Sequence, residues 1–477
     1  MNWKLGFLFV AVVPLLAWNH SEVDRFPYLG TKTLYRPHQH PDTYEHPPAL
    51  CKPIYVSLLS RHGSRTVSSR KSYKHAYKVF HQAHKDDNLS KKGRHAYKWM
   101  QELEALPELG LLTKEGVKQQ YALGKRLGAW NNDFFLNKKV LMTSTYVKRT
   151  QQSLAAFQRG LRDAVGGAID FQVSRGGKCE DFQLRYFDNC SRYRRYFNGK
   201  MKERREAIQS KVVDKPGFKR MVSDHFDVFF KDRNLGKVPG GAEVQTIEDL
   251  FELCQNDYNM NEKTGEDHFC AYLSRELRRD FVFVKDDLAS YYKLGPVKAF
   301  DDPQDQGVTY KMACTAVSSF LEDMEAVTHG RSDSVAHLRF AHLETVMPVA
   351  ILMGLFGTDK DLDVKEDPQW ISDNIAGMGS NIRWLAYQCG EGELASYKVK
   401  MFYDEQEQHF PIPACQNSYF CDWRDVKAYY RDRFETLGLG ACTLPEWNRI
   451  CDNGDDNGRA QCQSYHREID LEDQDDS

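Results

Sequence analysis

The stretch LLSRHGSRTVSS, Leu58 to Ser69, sets Arg61, His62 and Arg65 within five residues where an apolar run ends. Two guanidinium groups this close repel each other, a cost that is offset where an anion sits between them. Guanidinium groups grip phosphate through paired N–H donors and stay charged at any working pH. An imidazole between them can attack phosphorus if its attacking nitrogen is unprotonated, and nearby positive charge favours that neutral form. Gly63 lets the backbone turn and approach a ligand closely. The chemistry these residues point to is phosphoryl transfer through nitrogen.

The elements that must carry this turn read as strands alternating with helices. PIYVSLLS is a short, β-branched apolar run and predicts a buried strand. Arg61 to Arg65 then occupy the loop at its carboxyl end, where open α/β sheets place ligands. A helix is predicted from about Ser69 to His84, and another in LLTKEGVKQQYALGKRL, with Thr113 as N-cap. KKVLMTST, Lys138 to Thr145, predicts a second buried strand, and VKRTQQSLAAFQRGL a helix with Arg149 near its start. VAHLRFAH, Val335 to His342, predicts a third strand. ETVMPVAILMGLF reads as an apolar helix with Pro348 in its first turn. His342 and Glu344, two apart in an extended segment, face the same way where strand gives way to helix. YKVKMFYDEQEQHFPI alternates as a late strand pair.

The fold class expected is α/β: a sandwich core built from residues 50–175 and 301–462, with a mainly helical cap, 176–300, inserted into it, and an acidic C-terminal tail, 463–477. At 477 residues the chain can bury a large core, and a formal net charge of −2 gives no global field for nucleic acid or membrane binding. The first 18 residues carry Lys4 and then an apolar run too short to span a bilayer, the order of a signal peptide. No second stretch could span, so no stable membrane span is expected after its removal. Twelve cysteines without a CxxC pair fit disulfides in a secretory-pathway protein, not a zinc knuckle. Sequons at Asn19, Asn88 and Asn189 agree with that route. Near neighbours suggest bridges 254–270 and 415–421, and the turn-rich segment CDNGDDNG, which lacks the closing Glu of a calcium loop, reads as a loop closed by Cys451 and Cys462.

At this point the chain resembles the branch 2 histidine phosphatases, the clan of acid phosphatases and phytases. RHGSR is similar to their RHGxRxP signature, LTKEGVKQQYALG to their LTxxGxxQxxxLG helix, and STYVKRTQQSLAAFQRGL to the segment that supplies a third phosphate-binding arginine. FAHLETVMPVAILMGLF, FVFVKDDLASYYKLG and LCQNDYNMNEKTGEDHFC resemble the multiple inositol polyphosphate phosphatases within that clan. The resemblance implies His62 as nucleophile, Arg61, Arg65, Arg149 and His342 as the phosphate cradle, and Glu344 as proton donor. It implies no metal and no cofactor, a small-molecule polyphosphate substrate (inositol hexakisphosphate and lower, with 2,3-bisphosphoglycerate as another), and a Cys51–Cys389 bridge; an acid optimum is expected because a protonated Glu344 helps the leaving group. Rival expectations are a broad acid phosphatase and a catalytically weak phosphate-binding protein.

Three positions depart from the pattern. Thr66 and Val67 stand where the signature has its proline, Leu343 where alanine is usual, and Ser69 where related phytases often carry lysine. Leu343 could point into the core or narrow the pocket, and Arg70 could take over from the lysine. The basic stretch CSRYRRYFNGKMKERREAIQSK, Cys190 to Lys211, reads either as a surface that steers a polyanion or as a salt-bridged solvated helix.

Overall fold

The computed structural model describes residues 28–233, 242–260, 268–297, 306–357, 371–392, 395–454 and 456–474. The expected signal peptide lies outside these residues. The strands form one sheet: β1 Cys51–Arg61, β2 Lys139–Ser144, β3 Asp170–Arg175, β4 Ser334–Ala341, β5 Asn381–Cys389, β6 Ser396–Tyr403, β7 Gln406–Gln408 and β8 Phe420–Asp422. Their order is β3-β2-β4-β1-β5-β6-β7, with β8 on β6. β1, β2, β3 and β4 run parallel, and from β5 onward the pairing is antiparallel.

Alternation along β1 explains the layering. Val56 and Leu58 face one way, into a cluster with Leu123, Leu127, Leu154 and Phe157 from the helices Lys114–Trp130 and Lys148–Val165. Tyr55 and Leu59 face the other way, into a cluster with Phe320, Val346, Val426 and Tyr430 from the helices Cys314–Thr328, Leu343–Leu352 and Trp423–Thr436. Helices cover both faces, as a parallel sheet requires. A third apolar cluster holds a helical body together. It draws on the helices Lys74–Lys85 and Lys91–Glu104 as well as on Pro216–Phe229, Ala242–Met260 and Arg275–Val282.

Six disulfides close the described chain, a set that forms in oxidising, extracellular or lumenal surroundings. Cys51–Cys389, 254–270 and 415–421 are as expected. The Cys451–Cys462 closure is not: Cys451 bonds Cys190 and Cys462 bonds Cys179, while Cys314 bonds Cys442. Cys451 ends one helix and Cys462 lies in the next, Arg459–Gln474, so each reaches a different partner near residues 179–190. The segment read as a tail is thus helical to Gln474 and pinned at its start. Among the described residues, no helix is long and apolar enough to cross a membrane. Asn189 is buried and its amide donates to the Cys179 carbonyl at 2.8 Å, so that sequon cannot carry a glycan in the fold.

Candidate active site

Register brings the site together. β1 and β4 pair in parallel with Arg61 opposite Ala341, so the residues that follow, His62 and His342, emerge side by side at the carboxyl ends. The His62 N–H donates to the Ala341 carbonyl at 3.0 Å, and the two rings lie 5.6 Å apart, edge to face. On the other flank of β4, β2 ends at Ser144 opposite Phe340, and Arg149 follows as the second residue of its helix. Three neighbouring strand ends therefore deliver Arg61, His62 and Arg65; His342 and Glu344; and Arg149.

Glycines set how closely the helices approach. A Cβ on Gly63 would stand 2.5 Å from the Gly116 carbonyl oxygen, and one on Gly116 would stand 2.0 Å from that of Ser64. Gly63 thus admits the Lys114–Trp130 helix, not a ligand, because helix backbone occupies the space beside its Cα. Thr113 caps that helix as expected, accepting from the Gly116 N–H, and donates to the Ser64 carbonyl. Gln119 accepts from Ser64 N–H and Oγ at 2.9 and 3.0 Å, and Gln120 donates to the Arg61 carbonyl at 3.0 Å. Ser153, from the arginine-bearing helix, accepts from the Gly63 N–H. The signature proline is replaced by pairing: Thr66 N–H donates to Leu111, and Thr66 Oγ1 and the Val67 carbonyl both accept from Gly110 N–H.

His62 Nδ1 lies 2.9 Å from the Gly63 carbonyl. A carbonyl can only accept, so Nδ1 carries the proton and Nε2 keeps a free lone pair. Burial, then Arg149, Arg61 and Arg65, press the imidazole pKa well below its ordinary value, against the pull of the Gly63 carbonyl. The ring is neutral at physiological and mildly acid pH.

The three arginines face one another with little to hold. Burial lowers Arg61 to about 10, Arg65 to about 10 and Arg149 to about 9, with one other guanidinium of the trio adding to each shift: Arg149 on Arg61, Arg61 on Arg65 and Arg65 on Arg149. Each has a buried Nε–H without a hydrogen-bond acceptor. Arg61 donates through Nη1 to the carbonyls of Thr31 (2.8 Å) and Ala376, and Arg65 through Nη1 to that of Thr66. Buried donors left unpaired are expensive unless something arrives to accept from them. Arg149 Nη2 donates to His342 Nδ1 at 3.2 Å, and His342 Nε2 donates to Thr145 Oγ1 at 3.0 Å, which fixes the second ring as neutral too.

Glu344 is the second residue of the Leu343–Leu352 helix. Pro348 sits inside this helix and not in its first turn, because the helix starts right after His342. Its missing N–H would have gone to the Glu344 carbonyl. The buried Tyr186 hydroxyl stands in, reaching the Glu344 and Thr345 carbonyls at 3.2 and 2.9 Å. Leu343 is buried in the core cluster, so it does not narrow the pocket. Glu344 Oε1 pairs with Lys293 Nζ at 2.7 Å. Burial would raise this carboxyl, but the Lys293 charge and hydrogen bond, with help from Arg61, hold it well below the usual carboxylate range. Paired with Lys293, Glu344 is ionised, against the protonated donor the resemblance implied.

Sequence reading missed several parts. Lys293 lay within FVFVKDDLASYYKLG without being singled out. Lys32 has its ammonium close to Arg65 and Arg61 and 3.1 Å from Thr31 Oγ1. The hook 28–33 that carries it is held by Asp286 and Asp373, which accept from Thr31, Leu29, Gly30 and Thr33. No local spacing announces contacts this distant in sequence. Arg70 does not replace the absent lysine: it is exposed and bound to Glu104 and the Leu106 carbonyl. In the basic stretch, Arg195 pairs with Asp452 and Arg194 lies over the Tyr465 ring, the structural use of those charges.

The family model described as histidine phosphatase superfamily (branch 2) matches residues 54–404. That span is most of the chain and contains every site residue above except Lys32. The chain belongs to the branch 2 histidine phosphatases. Among similar proteins is multiple inositol polyphosphate phosphatase 1 of Gallus gallus, 23% identical over 456 residues, which cover 88% of this chain and 93% of that protein. The Dictyostelium discoideum protein of the same name is 22% identical over 86% of this chain and 70% of its own length. This histidine phosphatase shares its fold with the Bifidobacterium longum multiple inositol polyphosphate phosphatase solved with inositol hexasulfate (TM-score 0.67, 20% identity, 84% of this chain and 97% of that one). The D. castellii phytase also shares it (TM-score 0.61, 16% identity, 90% and 88%).

Proposed function

We propose that the protein hydrolyses phosphomonoesters of inositol polyphosphates, inositol hexakisphosphate and lower, through a phosphohistidine. The observation that carries this reading is a neutral imidazole with its Nε2 lone pair free, set among three arginines whose buried Nε–H donors lack acceptors. A phosphoryl group has the charge and the oxygens to satisfy them. His62 Nε2 attacks phosphorus, the ester P–O bond breaks as the P–N bond forms, and the departing alcohol oxygen takes a proton from Glu344. Water then attacks phosphorus, Glu344 takes its proton, the P–N bond breaks and orthophosphate leaves. Arg61, Arg65 and Arg149 hold the equatorial oxygens, and His342, which accepts from Arg149, steadies that guanidinium beside them. The inositol polyphosphate substrate is supported by the curated relatives' names and by the inositol hexasulfate bound to the Bifidobacterium neighbour. The disulfides support maturation in the secretory pathway.

The test compares kcat/KM for inositol hexakisphosphate with that for p-nitrophenyl phosphate. A clear preference for the former is expected, whereas an equal or inverted ratio indicates a broad acid phosphatase. A His62→Ala protein that hydrolyses as fast as the parent excludes the enzyme reading altogether.

A further inference from the structure

Glu344 has to deliver a proton, yet its ion pair with Lys293 keeps it ionised. The main partner responsible is one side chain, with Arg61 helping. Lys293 is the penultimate residue of the helix Leu288–Leu294, whose Tyr291 and Leu294 pack into the core cluster against the sheet, and its Nζ makes its carboxylate contact at 2.7 Å to Glu344 Oε1. The ammonium also sits 5.4 Å from the centre of the Phe197 ring. Both members of the pair are partly open to solvent, at 31% and 29% side-chain exposure. The lysine can therefore swing on its four-carbon stem without unpacking a core.

The other groups facing Glu344 come from four elements. Arg61 and Arg65 reach it from the first strand and loop, Arg149 from its helix start, and Arg185, Tyr186 and Tyr193 from the segment beyond β3. Arg185 is engaged by Asp188 at 2.6 Å, and Tyr186 by backbone carbonyls. The first three arginines are those a transferring phosphoryl group would draw onto itself. Lys293 is then the charge that remains on Glu344.

Resting on the inositol polyphosphate reading above, we propose that Lys293 is a positioning residue that passes from Glu344 to a second phosphate of the substrate, freeing Glu344 to take up the proton it delivers. A phosphate dianion competes better than a carboxylate for an ammonium group. A substrate with a phosphate on a neighbouring ring carbon presents that dianion close to the leaving oxygen. A simple alkyl monoester does not, so it meets a Glu344 still paired and ionised. Preference for polyphosphates thereby enters through kcat and not through binding alone. No co-reactant is needed, because the proton comes from solvent.

The experiment uses the full-length protein with Lys293→Met, Lys293→Gln and Lys293→Arg, each checked for an unchanged thermal transition. Inositol hexakisphosphate and glycerol 2-phosphate are the substrates, from pH 4 to 8. In Lys293→Met the alkaline limb of kcat for glycerol 2-phosphate should move up by about one pH unit, roughly a tenfold gain above it. KM for inositol hexakisphosphate should rise about tenfold, and Lys293→Arg should keep the parent's substrate order. Lys293→Gln repeats the test should the Met protein fold poorly. An equal fall in kcat for both substrates with an unmoved pH limb overturns the proposal. A parent that cleaves glycerol 2-phosphate but not inositol hexakisphosphate defeats the substrate reading instead, and Lys293 is then judged on the pH limb alone.

Discussion

At the scale of single residues, the site is a balance of charges around two neutral rings. Arg149 is the member whose loss is most informative, because it both donates to His342 and lowers the pKa of His62. Arg149→Met should cut kcat/KM at pH 7 by about 10²–10³-fold, the usual cost of losing one charge-stabilising donor. The same change should alter the pH profile. With one cation gone, the depressed His62 pKa rises towards its ordinary value, so the protonated, inactive fraction grows at acid pH. Activity should therefore fall further at pH 5 than at pH 7 relative to the parent, which a pH series of kcat/KM reads directly. Arg61, His62, Arg65, Arg149 and His342 were legible in the sequence because each lies at or just beyond a strand end, where type and position coincide. Lys32 and Lys293 were not. Lysines are common on any surface, and what marks these two is proximity created by folding.

At the scale of elements, glycine contacts and one tyrosine fix the approach of helices to the loop. Gly116→Ala would drive a Cβ into the Ser64 carbonyl, and backbone on both sides leaves no flexible group to yield. A destabilisation of about 1–3 kcal/mol is expected by chemical denaturation, with activity lost more steeply than stability. Tyr186→Phe should remove the donor that serves the Glu344 and Thr345 carbonyls, costing about 1–3 kcal/mol for groups left buried and unmet. A lower kcat should accompany it, since the carbonyl at issue belongs to Glu344 itself. The strands β1, β2, β4 and the β6–β7 pair could be read from apolar runs and alternation. The position of Pro348 could not, because the start of its helix is set by tertiary pairing of β4, and the compensating hydroxyl comes from residue 186.

At the scale of the molecule, long-range disulfides bind the carboxyl-terminal helices to the segment carrying Arg185 and Tyr186. Cys179–Cys462 and Cys190–Cys451 span 283 and 261 residues. Replacing Cys179 and Cys462 together by Ser should lower stability by about 2–5 kcal/mol, measured as a shift in denaturation midpoint. Phosphate, or inositol hexasulfate as a non-hydrolysable probe, should raise the thermal transition by relieving the repulsion among the arginines, and should do so less in Arg149→Met. The near disulfides and the strand-to-helix alternation of the core were readable. The three bridges among Cys179, Cys190, Cys314, Cys442, Cys451 and Cys462 were not, since twelve cysteines allow many pairings and separation in sequence says nothing of distance in space.

The central claim is that the His62 Nε2 lone pair becomes bonded to phosphorus during turnover. Rapid mixing with inositol hexakisphosphate labelled in its phosphates, an alkaline quench to preserve a phosphoramidate, and peptide mapping test it most directly. Label on the peptide containing His62, absent from His62→Ala, is the expected result. Turnover that leaves His62 unlabelled, or equal labelling of the alanine protein, would contradict it.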